Sequence, residues 1–207
     1  MKDIIVVFEK GYIYKGKEYF LISELKKKLK NNFKREIFII DEEIFIKSYN
    51  YNEKNSEVFV EENIQKDFID NKELLYHYEE DKKNKKIYLY AIRKMKIENI
   101  INSKVKIIPI SFLIKDIILK DSKLNNFIAI VEISGKFYVV FVEEKNLVKY
   151  EMLKDIEKVK DILNNNDNKN IFIDAKYEGF ATKKLEIKIN ILEKINEKIY
   201  KKQKLFT

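Results

Sequence analysis

Two glycine-bearing turns are where residue types and spacing in this 207-residue chain could do chemistry. One reads Phe8-Glu9-Lys10-Gly11 and the other Glu132-Ile133-Ser134-Gly135. A turn built from glycine and a small neighbour lets backbone N–H groups approach a phosphate, and a nearby carboxylate can handle its hydrated magnesium. The chain holds only four glycines, Gly11, Gly16, Gly135 and Gly179. They are too few for two phosphate loops and a nucleoside pocket. Gly11, Glu132, Ser134 and Gly135 therefore read as degenerate loop positions, and both glycines as hairpin-turn residues. No cysteine is present, which removes disulfides and thiolate chemistry. The single histidine, His77, alternates with apolar residues in Leu74-Leu75-Tyr76-His77-Tyr78 and reads as a sheet-surface residue. Asp3, Glu9, Glu132 and Asp174 fall near strand ends, but their spacing does not mark a metal-dependent nuclease. No Walker loop, nucleophile elbow or zincin helix occurs. The expectation is a protein without catalytic residues, metal or cofactor.

The elements around these turns occur twice in the same order. Ile4 to Phe8, a turn at Lys10-Gly11, Tyr12 to Tyr14, a turn at Lys15-Gly16-Lys17, Glu18 to Ile22, a helical stretch and Ile37 to Ile40 form the first copy. Phe127 to Ile133, a turn at Ser134-Gly135-Lys136, Phe137 to Val142, a turn at Glu143 to Asn146, Leu147 to Glu151, a helical stretch and Ile171 to Asp174 form the second. Three meandering strands, a helix and a fourth strand make the core of a ribonuclease-H-like unit. Two in tandem predict an α/β, actin-like fold of duplicated βββαβ units, reduced in size.

Between the copies, residues 43 to 120 predict an inserted α+β subdomain. A strand at Glu43 to Tyr49 and a helix at Glu61 to Phe68 precede a hairpin of Leu74–Glu79 and Ile87–Ile92, tipped by the charged run Asp81 to Lys86. Arg93 to Asn102 has helical spacing. Val105 to Ile110 reads as a buried strand ending near the only proline, Pro109, and Ser111 as the N-cap of a helix over Phe112 to Leu119. The domain reading is 1–120 for the first unit with its insertion, 121–182 for the second, reduced unit, and 183–207 for a basic segment.

Composition bounds the partners. Hydrophobic residues make up 45% of the chain and aromatic residues 13%, enough for a packed core. The formal charge is +8, yet 40 of the 42 basic residues are lysine, with Arg35 and Arg93 the exceptions. Base-edge and phosphate recognition favours the arginine fork, so no nucleic-acid partner is expected. No signal peptide and no span of ~20 apolar residues is visible. Lys183 to Thr207 carries eight lysines and three glutamates. Ile187 to Leu192 alternates like a strand, and Glu193 to Phe206 has a helical stripe at Ile195, Ile199 and Tyr200. Lysines in this density suit either a solvated helix face or a juxtamembrane segment.

The chain resembles the actin-like PilM family of type IV pilus assembly and the related cytoplasmic domain of GspL in type II secretion. The residues that carry the resemblance are Glu61 to Tyr78, Val105 to Leu113 and the hairpin Ile130 to Met152. The family's phosphate-loop pattern is Asp-x-Gly, which neither turn keeps. Ile189-Asn190-Ile191-Leu192 and the lysines after it are similar to the Ile-Asn-Leu-Leu-Pro motif that opens the membrane partner PilN, with Glu193 in place of the proline. The resemblance implies that Ile189, Asn190, Ile191 and Leu192 bind a partner groove.

It further implies a non-catalytic scaffold at the cytoplasmic face of the inner membrane, in a type IV pilus or type II secretion platform. Such a scaffold links the assembly ATPase to membrane-anchored pilus or secretion proteins, is held to the membrane by a following anchor, and allows a homodimer. The alternative is a soluble PilM-type ATP-binding protein recruited to a separate membrane partner, and a basic ribonuclease-H-like protein is a distant third.

Overall fold

The computed structural model describes residues 2–30, 33–52, 55–68, 71–166, 170–173 and 191–199. In chain order the elements begin with β1 (Lys2–Val7), β2 (Tyr12–Tyr14), β3 (Lys17–Tyr19), α1 (Ile22–Lys26), β4 (Lys34–Ile39), β5 (Phe45–Asn50) and α2 (Ser56–Asp67). Next come β6 (Leu74–Asp81), β7 (Lys86–Arg93), β8 (Val105–Pro109) and α3 (Ile110–Ser122). The chain continues with β9 (Phe127–Ile133), β10 (Lys136–Glu143), β11 (Asn146–Leu153), α4 (Ile156–Asn164), β12 (Ile171–Ile173) and α5 (Ile191–Ile199).

The duplication is real. The first sheet has strand order β3-β2-β1-β4-β8 and the second unit's sheet β11-β10-β9-β12. In each, an antiparallel meander is followed by a helix and a strand parallel to the first. Ile5 faces Ile37 across β1 and β4, and Ile128 faces Ile171 across β9 and β12. Two-residue turns close three of the four meander hairpins. Lys15-Gly16, Ser134-Gly135 and Glu144-Lys145 all have positive φ at both positions, the mirror-image turn whose twist matches paired strands. β8 lies beside β4, so the three-stranded sheet β5-β7-β6 and α2 are inserted within the first unit.

A single core joins the halves. Seven residues of α3 are buried, among them Ile110, Leu113, Ile114, Ile117 and Ile118, and they pack with Ile5, Ile37 and Phe38 of the first sheet and with Val131 and Val140 of the second. Each such fully buried side chain contributes roughly 1.5–3 kcal/mol. β9 is buried on both faces because α4 covers its other side through Val159 and Leu163. The insertion has its own small core, in which Val60 and Phe68 meet Ile87, Leu89 and Ala91 of β7.

Several sequence expectations need correction. Ile22 starts α1 rather than ending the third strand. Val58 to Val60 belong to α2, whose N-cap Asn55 accepts from the N–H groups of Glu57 and Val58. Arg93 to Asn102 is not an α-helix: β7 runs through Arg93, and a single 3-10 turn spans Glu98–Ile100. The Arg35 guanidinium donates to the Ile100 carbonyl at 2.7 Å, satisfying an acceptor where the turn ends. α3 starts at Ile110 with Pro109 at its N-cap, and Ser111 is buried inside the first turn with no partner for its hydroxyl. Ile191 and Leu192 are helical, not extended, because Ile191, Ile195 and Ile199 recur every four residues and are all fully buried in α5. Ile189 and Asn190 lie outside the described residues.

Candidate functional site

The glycine turns sit at adjoining ends of the two sheets, where a set of charged side chains crosses between the units. Glu9 follows β1, Asp41 follows β4, and Lys136 and Tyr138 open β10. Lys136 Nζ lies 2.7 Å from Glu9 Oε2 and 2.9 Å from Asp41 Oδ1. The Tyr138 hydroxyl donates to Asp41 Oδ1 at 2.7 Å, and the Glu9 N–H donates to Asp41 Oδ2 at 3.2 Å. Parallel pairing of β4 with β1 brings Asp41 level with Glu9, since the Ile40 N–H takes the Val7 carbonyl at 3.0 Å.

The electrostatics follow from this geometry. Burial works to raise the Asp41 carboxyl, but hydrogen bonds from Tyr138 and Lys136 outweigh it and hold Asp41 below its usual value. Burial also opposes the charge on Lys136, and the bonds to Glu9 and Asp41 raise it nevertheless. The hydrogen bond from Lys136 lowers the Glu9 carboxyl. Desolvation, with the bond to Asp41 second, pushes the Tyr138 phenol up. All four groups are thus in the state that favours the bridge.

In this arrangement Glu9 and Asp41 are both engaged by Lys136. The Lys136 ammonium is shared by the two carboxylates, and Lys154 adds a second positive charge that acts on Glu9. Gly11 has its own reason to be glycine: a Cβ there would lie 2.5 Å from the Tyr19 carbonyl oxygen. Gly135 has φ +76 with open space around it and serves the turn. Ser134 shares that turn at φ 51, and Glu132 pairs with Phe137 inside the hairpin. Among the described residues no three histidine or carboxylate side chains converge as a metal site.

The sequence reading noted Glu9 but missed Asp41, Lys136 and Tyr138. A signal existed for Asp41, an acid two residues beyond the end of β4. Lys136 is 95 residues from Asp41, and nothing local marks the pair.

A groove of about 1210 Å³ is lined by β6 and β8, the outer strands of their sheets among the described residues, with α3 and α5 along it. In its wall the His77 ring stacks at 6.0 Å on Tyr90 and meets Phe112 edge-on at 5.8 Å. Lys115 Nζ pairs with both Glu79 oxygens at 2.7 and 2.9 Å, and the Tyr90 hydroxyl donates to Glu79 at 3.0 Å. Burial holds His77 below its ordinary value. His77 is exposed on β6, as the sequence led one to expect, and also lines the groove. Among the predicted partner residues, Ile191 is inside the core and Leu192 packs against it.

An α/β, actin-like fold of two duplicated units is the class that the topology defines. Three solved structures are similar to the chain. The cytoplasmic domain of EpsL, an inner-membrane component of the Vibrio cholerae type II secretion system, matches 98% of this chain and 95% of its own, at TM-score 0.53 and 5% identity. A Bacteroides thetaiotaomicron protein of unknown function, described as having an actin-like ATPase fold, matches 96% and 88% at TM-score 0.49 and 11% identity. The PilM–PilN type IV pilus biogenesis complex matches over 80% of this chain and 62% of that one, at TM-score 0.44 and 6% identity. At such identities the likeness is one of fold. No protein-family model matches the chain, and no curated protein does. No helix among the described residues is long and apolar enough to cross a membrane.

Proposed function

We propose that the chain is a non-catalytic scaffold domain at the cytoplasmic face of an inner membrane, in a type IV pilus or type II secretion platform, linking the assembly ATPase to membrane partners. The observation that carries this reading is the bridge from Lys136 to Glu9 and Asp41. It joins the two units by protein charge at the turns that would otherwise hold phosphate. Likeness of fold to the EpsL cytoplasmic domain supports the platform context. The groove between β6 and β8 is the surface we assign to a membrane partner, because two strand edges that pair with no further strand among the described residues can accept an extended segment by backbone pairing.

The test uses the full chain, its operon's assembly ATPase and the cytoplasmic segment of a co-encoded membrane protein. Scaffolding predicts complexes with both, of affinity unchanged by millimolar Mg-ATP. A complex that forms only with ATP, or ATP turnover by the chain alone, would overturn the reading in favour of an ATP-binding protein.

A further inference from the structure

The loop between β3 and α1 breaks local rules without a packing reason. Leu21 occupies the N-cap of α1 with extended backbone and no side-chain cap bond, where Ser, Thr, Asp or Asn is preferred. It is 59% exposed, and its neighbour Phe20 is 70% exposed. The other exposed large apolar residues described, Phe45, Val58 and Met95, stand singly in the sequence. Such local violations concentrate where function rather than folding sets the residue.

The surroundings are basic. Residues 10 to 30 hold seven lysines, Lys10, Lys15, Lys17, Lys26, Lys27, Lys28 and Lys30, against Glu18 and Glu24. This net +5 in a tenth of the chain far exceeds the average that lysine-rich composition would give. All seven lysines are exposed. None forms an ion pair with a carboxylate among the described residues, whereas Lys2, Lys47, Lys94 and Lys136 elsewhere do. Gly11 packs against Tyr19 and Phe20, which brings the turn bearing Lys10 beside the apolar tip. Leu25 anchors α1 in the core, so the lysines that follow leave from a fixed base.

We propose that Phe20 and Leu21, with the lysines around them, are a peripheral docking surface for an anionic lipid bilayer. Lysines draw the chain to the negative surface within a Debye length, and the two apolar side chains enter the headgroup boundary. The occupant follows from charge complementarity: exposed lysines that make no ion pair among the described residues, flanking a small apolar tip in the sequence, match a surface that is anionic outside and apolar beneath. This goes beyond the platform reading, since it assigns the chain a membrane contact of its own, made without a partner.

Flotation of the full chain with vesicles of phosphatidylcholine alone, or with 30% phosphatidylglycerol, tests it. The wild type is expected to partition at least tenfold more strongly onto the anionic vesicles in 50 mM salt and to be released at 500 mM. Phe20→Ser with Leu21→Ser should weaken binding at least fivefold with an unchanged thermal midpoint, as should K26E/K27E/K28E. Equal binding to both vesicles, no binding, or full binding by both variants would overturn the proposal. So would loss of binding only when lysines of residues 183–207 are replaced, or equal competition by soluble inorganic polyphosphate. Each of these outcomes leaves the partner complexes, measured without lipid, untouched.

Discussion

At the residue scale the two turn glycines differ in what they avoid, and this separates their mutants. Gly11→Ala places a methyl against the Tyr19 backbone, which cannot swing away. Gly135→Ala meets open space and only the cost of positive φ, about 1–2 kcal/mol. Urea unfolding should therefore find Gly11→Ala the more destabilising of the two. The bridge gives a second prediction. Asp41→Asn leaves Lys136 and Tyr138 with a weaker acceptor and should cost about 1–3 kcal/mol, and a double-mutant cycle with Lys136→Met should show coupling between the two positions. Because the folded Asp41 carboxyl titrates below its ordinary value, its stabilisation is full above about pH 4 and is lost as pH falls through the folded value. The stability gap between wild type and Asp41→Asn should accordingly close on acidification. The glycines were visible in the sequence as turn formers. The partner of Glu9 was not, because an acid after Ile40 looks like any turn residue until parallel pairing sets it beside β1.

Elements were legible where a period was long or a turn unambiguous. Both meanders, α4 behind its Asp155 cap and the β6–β7 hairpin follow from alternation and turn chemistry. Elements were misread where a tertiary contact chose between two periods. Ile187 to Leu192 alternates, but Ile191 also begins a four-residue repeat with Ile195 and Ile199, and packing against α3 selects the helix for the described part of that stretch. The consequence is a prediction for α5. Ile195→Ala removes a fully buried side chain at the seam with α3 and should cost 2–5 kcal/mol, read as a fall in thermal midpoint. A fall no larger than that of an exposed control such as Val58→Ala would show that α5 is not docked on α3.

At the scale of the molecule, the inserted sheet also reaches the second unit. Asn146 approaches Asp81 at 3.5 Å, and Lys83 lies 3.9 Å from Glu144, both near the hairpin tips. Together with the α3 core and the Lys136 bridge, these contacts link the halves. The duplicated architecture was readable because each copy is local in sequence. The way its two ends meet was not, since that depends on pairs some hundred residues apart. A nucleotide bound between the turns would have to open the Lys136 bridge and settle beside Glu9 and Asp41, so the most direct test is isothermal titration calorimetry of the full chain with Mg-ATP. The account predicts no saturable heat up to millimolar nucleotide, and a dissociation constant in the micromolar range would contradict it.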